Sequence, residues 1–139
     1  MITLNVLKVG KVGIVSCSGE AIPEGTLSRL ACRKVLDELR PDQTVTICLP
    51  LFIAGGTEER NFARDFPTIT VDGCEKQCAR KSTEKLSGKP GKSLLIPEIL
   101  SRHGIAKPVN LRNLRPEEKA TAQVVAEEIA RAVDEILKK

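Results

Sequence analysis

The chain has 139 residues, of which 22 are Lys or Arg and 18 are Asp or Glu, giving a net charge of +4 at pH 7. This length fits a single domain over 1–139 that can bury an apolar core without disulfide staples. Its three aromatic residues are all Phe, which argues against a reader of single-stranded nucleic acid, because such proteins stack bases on aromatic rings. The basic residues are spread along the chain, so there is no strong nucleic-acid signal.

The sequence also contains no signal for the secretory pathway or for a membrane. No apolar run approaches the roughly 20 residues that span a bilayer, and no secretory signal precedes the first apolar run. We therefore expect a cytoplasmic protein with no membrane partner, and leave a protein partner open. In a reducing compartment the five cysteines are better explained as metal ligands or redox groups than as disulfides.

The first half of the chain alternates between predicted strands and helices. Residues 1–9 carry alternate apolar positions and form either an edge strand or an ordered arm. Residues 11–17 are a short apolar run halted by Ser-Gly, typical of a buried parallel strand. A helix is predicted over 23–39, opened by a proline and closed before Pro41. Residues 43–48 are the second predicted strand.

The second half continues the same alternation. The third strand is predicted over 68–71, and a helix is predicted to begin at Cys74 after an Asp-Gly break. Residues 93–96 fit either a strand or a helix, and 107–111 is the preferred fourth strand. A long C-terminal helix is predicted from Pro116. The pattern predicts a three-layer α/β domain with a mostly parallel sheet of about four strands, flavodoxin-like or Rossmann-like.

Three cysteines, Cys17, Cys48 and Cys74, lie at the carboxyl ends of predicted strands. Open α/β sheets bind ligands at that edge, and in a flavodoxin-like order the first strand lies between the second and third, about 4.8 Å from each. Cys78, one helical turn after Cys74, would place its Cβ about 5–6 Å away and supply a fourth sulfur. A closed set of four thiolates suits Zn²⁺ or a cluster iron site.

Simpler interpretations stand beside this one. Each cysteine could be a small buried hydrophobe, and Cys32, on the apolar side of its helix and away from the carboxyl edge, is expected to be one. Asp72 is expected to cap the following helix rather than to support a ligand. The spacing from Cys74 to Arg80 outlines a thiol phosphatase loop, but no glycine follows the cysteine and an early helix would remove the phosphate cradle.

The ordered cysteines, with Ser-Cys-Ser-Gly around Cys17 and Asp-Gly-Cys ending at Cys74, resemble the DGC-domain family, whose members are described as zinc-binding. The resemblance extends from about Val12 to at least Leu86. It implies zinc binding by Cys17, Cys48, Cys74 and Cys78, and it supplies no reaction.

Three functions therefore stay open at this point. The first is a small zinc-binding protein. The second is a thiol redox or sulfur-transfer enzyme that uses Cys74 and Cys78, with Cys17 as a resolving thiol, although its cysteine spacing is not that of thioredoxin-like sites. The third is an iron–sulfur carrier with the same ligands as the zinc protein.

Overall fold

The structure is a computed structural model, and it describes residues 10–19, 21–109 and 116–138. Four parallel strands form one sheet in the order β2-β1-β3-β4. The strands are β1 (Val12–Ser16), β2 (Thr44–Thr46), β3 (Thr68–Asp72) and β4 (Lys92–Leu95). The predicted α/β class is confirmed, and so is the central position of β1 between β2 and β3.

The strands are connected by helices of very different length. The first helix continues directly into a π-helical segment, Val35–Leu39, before the chain turns into β2. The α-helices are α1 (Pro23–Lys34), α2 (Leu51–Ala54), α3 (Thr57–Arg60), α4 (Phe62–Asp65), α5 (Cys78–Leu86), α6 (Ile96–Arg102) and α7 (Pro116–Lys138).

The sheet has an apolar core on each face, because neighbouring residues of a strand point to opposite sides. On one face, Ile14 of β1 and Ile69 of β3 pack with helices α1, α6 and α7. On the other face, Val15 packs with Phe52, Phe62 and the first turn of α5. The helices therefore form two layers around the sheet and leave its carboxyl edge to the loops.

The two longest helices follow their predicted apolar stripes. Pro23 occupies the first turn of α1, and Leu27, Ala31 and Val35 on its inner face are fully buried. In α7 the buried positions recur at steps of three and four residues, as expected for a helix that packs on a sheet. They are Ala122, Val125, Ile129 and Val133, with Ile136 packed beside them.

The prediction of the fourth strand at 107–111 is wrong. The strand is Lys92–Leu95, and α6 begins at the next residue. Hydrogen bonds hold this segment beside β3: the Gly91 N–H donates to the Thr68 carbonyl at 2.8 Å, and Thr70 Oγ1 donates to Ser93 Oγ at 2.9 Å. Residues 107–109 form no strand, while 110–111 and the arm 1–9 lie outside the described residues. A run of three apolar residues is too short to show helical or strand periodicity by itself.

No helix in the described ranges is long and apolar enough to cross a membrane.

A bidentate ion pair joins the end of the π-helical segment to α7. Arg40 Nε donates to Asp134 Oδ1 at 2.8 Å, and Arg40 Nη2 donates to Asp134 Oδ2 at 2.7 Å. The hydrogen bonds from Arg40 lower the pKa of Asp134 below its ordinary 3.8. A carboxyl group with a lowered pKa stabilises the folded state above its unfolded pKa, and that contribution is lost as the pH falls through the folded value.

We expect Asp134→Asn to lower the free energy of unfolding at neutral pH by about 0.5 kcal/mol, since both side chains are partly exposed and screened by solvent. The difference from the unsubstituted chain should shrink as the pH falls below 3.8. Urea unfolding at neutral pH and at pH 3 measures both effects. Asp37→Asn, which breaks the more exposed pair with Arg33, is the control and should cost less. An equal loss from Asp134→Asn at the two pH values would contradict this explanation.

Candidate functional site

Three of the five cysteines follow strand ends at one edge of the sheet, and a fourth opens the helix after β3. Cys17 directly follows β1, Cys48 lies two residues beyond β2, and Cys74 lies two residues beyond β3; Cys78 is the first residue of α5. Because β2, β1 and β3 are adjacent and parallel, their carboxyl ends open on the same edge. The backbone therefore places these residues at the edge where the sequence predicted them.

Cys17 lies at the middle of this edge and is held from two sides. Its N–H donates to the Val71 carbonyl of β3 at 2.9 Å, and its Sγ accepts the Gly73 N–H at 3.2 Å. Its Sγ also lies 3.5 Å from the buried Ser28 Oγ of α1. The Ser28 hydroxyl donates to the Gly25 carbonyl at 2.7 Å, so the Cys17 thiol is the natural donor in its contact with Ser28.

The three loops at this edge meet through glycines. A Cβ on Gly25 would lie 1.9 Å from the Gly19 carbonyl oxygen, and a Cβ on Gly73 would lie 2.8 Å from Gly25 N and 2.9 Å from the Glu24 carbonyl carbon. These neighbours are backbone atoms, which cannot rotate away. The first turn of α1 thus fits between the β1–α1 loop and the turn after β3 only because Gly25 and Gly73 have no side chain.

Asp72 caps α5 from a distance. Its two carboxylate oxygens accept the N–H groups of Ala79 at 2.8 Å and Arg80 at 3.1 Å, and the side chain is 1% exposed. Burial raises the pKa of Asp72, and the two backbone hydrogen bonds lower it; the net shift is upward. The predicted capping role of Asp72 is confirmed.

The predicted helix start at Cys74 is wrong. The helix begins at Cys78, and residues 74–77 form a turn in which the Gln77 N–H donates to the Cys74 carbonyl at 3.1 Å. Gln77 has a left-handed backbone with φ +52°. The chain turns here because the Asp72 carboxylate bonds the N–H groups at positions 79 and 80, so the intervening residues must loop out. Cys74 and Cys78 are therefore not on one helical face.

Cys17 and Cys48 line a common cavity of about 520 Å³. The cavity lies between residues 16–18, residues 46–50 and the outer side of α1, which contributes Arg29 and Arg33. Cys48 is exposed, and β2 ends early enough to leave it on the loop rather than in the strand. Cys74 is half-buried and Cys78 is exposed.

The sulfur atoms as they lie do not form a preformed metal site. Within residues 10–19, 21–109 and 116–138, no three side chains of His, Cys, Asp or Glu are grouped closely enough to hold a metal ion. The donor type and the shared sheet edge suit Zn²⁺, whereas the present side-chain positions do not close a tetrahedron. The predicted ligand set therefore stays a prediction.

Cys32 is a buried core residue, as predicted. It is 3% exposed and packs in the apolar cluster under α1. Burial raises the pKa of the Cys32 thiol, and the negative charge of Asp72 raises it further. A thiol in this environment is kept protonated, which disfavours metal binding by Cys32.

The phosphatase-loop interpretation fails for a reason other than the one the sequence suggested. The helix does not start early, so the residues after Cys74 are free to form a loop. The N–H groups that would bind a phosphate at the start of α5 are instead bonded by the Asp72 carboxylate. Arg80 forms an ion pair with Glu84 at 3.0 Å.

Sequence reasoning missed the residues of α1 that face the site. Gly25, Arg29 and Arg33 are four residues apart and Ser28 lies three residues after Gly25, and that spacing could have shown that they share a helical face near the carboxyl edge.

The fold and the site define a three-layer α/β protein whose candidate functional residues are cysteines at the carboxyl ends of its strands. A family model described as the DGC domain matches residues 13–136, and the chain belongs to this family. Neither the curated proteins nor the solved structures give a match.

We expect Gly73→Ala to lower the free energy of unfolding by about 1–3 kcal/mol, because its methyl group would overlap the backbone of α1. Urea unfolding measures the loss. Gly91→Ala is the matched control, because a Cβ there has no neighbour closer than 3.7 Å. Equal stability of the two variants would show that the close approach of the loops does not constrain the fold.

Proposed function

We propose that this protein is a zinc-binding protein of a reducing compartment that holds one Zn²⁺ through Cys17, Cys48, Cys74 and Cys78. The observation that carries the proposal is that Cys17, Cys48 and Cys74 lie just beyond the carboxyl ends of three adjacent parallel strands, with Cys78 at the start of the helix that follows β3. Four thiolates are a sufficient and typical ligand set for Zn²⁺, and no histidine is needed.

The surroundings of each sulfur fit this role. The Gly73 N–H points at Cys17 Sγ and would donate to a thiolate as well as to a thiol. Cys48 and Cys78 are exposed and follow short or irregular segments, so their side chains can turn toward Cys17 without disturbing the core. Metal binding would require the side chains of Cys48, Cys74 and Cys78 to turn toward Cys17.

Charge also favours this proposal. Four thiolates around Zn²⁺ carry a net charge near −2, which nearby cations must offset. Lys76 and Lys81 are exposed beside Cys74 and Cys78, and Arg29 and Arg33 line the cavity of Cys17 and Cys48. When bound, the metal would crosslink three loops of the edge. A closed four-sulfur site has no open position for water, so we propose no hydrolytic reaction.

The structure gives less support than the sequence to the alternative of a thiol redox or sulfur-transfer enzyme that uses Cys74 and Cys78. Cys74 does not occupy a helix start, and the helix start at Cys78 is already bonded to the buried Asp72 carboxylate. Both differences remove the stabilisation of a thiolate on which that hypothesis relied. An iron–sulfur cluster would use the same four ligands as zinc, and colour separates the two metals.

We expect about one zinc per chain after purification without chelator, because the four ligands close one tetrahedron. Replacing any one of Cys17, Cys48, Cys74 or Cys78 by Ser should lower zinc affinity by orders of magnitude, since serine is a poor oxygen donor. Elemental analysis and competition with a colorimetric chelator measure both quantities.

Cys32→Ser is the matched control and should keep the metal, at a stability cost of about 1–3 kcal/mol if its hydroxyl finds no partner. A metal-free folded protein in which Cys17, Cys48, Cys74 and Cys78 all react with a thiol reagent would overturn the proposal in favour of thiol chemistry. A brown protein after anaerobic purification would favour an iron cluster. Loss of zinc from Cys32→Ser with full zinc in Cys48→Ser would refute the ligand set.

Removing the metal should loosen the edge without unfolding the chain. None of the four proposed ligands is a fully buried residue of the two apolar cores. We therefore expect both cores to persist without metal. Circular dichroism in chelator should retain its helical signal while the melting temperature falls. Complete unfolding by chelator would show that the metal, not the core, holds the fold.

A further inference from the structure

The cavity lined by Cys17 and Cys48 has a positively charged wall. Arg29 and Arg33 project from successive turns of α1 and both line the cavity. The other lining residues in the described part of the chain include no Asp or Glu. Since two arginines and no described carboxylate line this concave space, the cavity is electrostatically suited to an anion.

Both arginines have donors to spare. Arg29 has no hydrogen bond or ion pair within the described residues. Arg33 Nη2 forms an ion pair with Asp37 at 2.6 Å, but both side chains are about half exposed, which makes this a weak pair. The hydroxyls of Ser16 and Ser18 lie at the same cavity and are hydrogen-bonded to each other at 2.7 Å, which leaves one O–H as a further donor.

The opposite wall is apolar. Ile47, Leu49 and Pro50 from the loop after β2 line it. The volume of about 520 Å³ is far more than a bare inorganic anion needs, and it lies in the range of pockets for small organic ligands. A ligand that uses both walls must carry an anionic group at one end and an apolar part at the other.

We propose that this cavity binds a small organic carboxylate, with the carboxylate on Arg29 and Arg33 and the apolar part against Ile47 and Leu49. Such a ligand would lie directly beside the thiols of Cys17 and Cys48. The inference stands on the cavity itself and does not depend on metal binding.

A second cavity of the described structure lacks this asymmetry. It has a volume of about 330 Å³ and lies beside β4. Its basic residues are matched by acidic ones, and Arg102 donates to Glu128 at 2.8 Å. Its charges therefore neutralise one another, and it serves as the internal comparison. The charged residues are Lys92, Arg102 and Arg131 against Glu98, Glu128 and Glu135.

The test is an NMR titration of the full chain with benzoate, with its uncharged analogue benzamide, and with acetate, which lacks the ring. We expect benzoate to shift the amide signals of Ser18, Ile47 and Leu49. Benzamide and acetate should each bind about tenfold more weakly, because one loses the charge-assisted hydrogen bonds and the other the apolar contact. The double variant Arg29→Gln, Arg33→Gln should lose at least tenfold in benzoate affinity.

Arg131→Gln, which alters an arginine of the second cavity, is the matched control and should bind benzoate like the unsubstituted chain. Absence of benzoate shifts at these amides, or equal affinity in the double variant, would overturn the proposal. Zinc content is measured in the same samples. If a chain without zinc binds benzoate through these arginines, the anion site is supported and only the zinc proposal is refuted. If the chain contains zinc but does not bind benzoate, the zinc proposal is supported and the anion site is refuted.

Discussion

The close approach of three backbone segments at the carboxyl edge is the constraint on which the site depends. Gly19, Gly25 and Gly73 bring the β1–α1 loop, the first turn of α1 and the turn after β3 into direct contact. At this junction the Gly73 N–H meets the Cys17 sulfur, and the Ser28 hydroxyl bonds the Gly25 carbonyl. The position of the central thiol is thus set by this backbone packing together with the contacts of its sulfur with Gly73 N and Ser28 Oγ.

The tripeptide Asp72-Gly73-Cys74 contacts helices on both faces of the sheet. The Asp72 carboxylate reaches toward α5 and replaces the missing acceptors at its start. Gly73 packs against α1, on the other side of the sheet. Cys74 follows at the half-buried edge between them. One turn therefore fixes two helices relative to β3 and leaves a thiol where the strands end.

Positive charge surrounds this edge on both flanks. Arg29 and Arg33 lie on the side of Cys48, and Lys76 and Lys81 lie beside Cys74 and Cys78. The acidic residues of the same edge are Glu24, Asp72 and Glu75, and burial raises the pKa of Asp72. Such a field favours anions in general, whether they are thiolates around a metal or a carboxylate ligand. The same charges therefore support both the zinc site and the carboxylate site, and only binding measurements with each ligand can distinguish the two proposals.

The sequence by itself determined the class of fold, the strand order around β1, the buried face of α7 and the placement of cysteines at strand ends, because these depend on local periodicity and on the general rules of parallel sheets. Only the tertiary structure decided that β4 is Lys92–Leu95, since pairing with β3 selects between two short apolar runs. It likewise moved the start of α5 to Cys78, because the Asp72 carboxylate bonds N–H groups seven and eight residues away. Only the tertiary structure also placed the arginines of α1 at the site. The residues that line the cavity with them lie at or beyond the carboxyl ends of β1 and β2, and contacts between residues so distant in sequence depend on packing rather than on a local pattern.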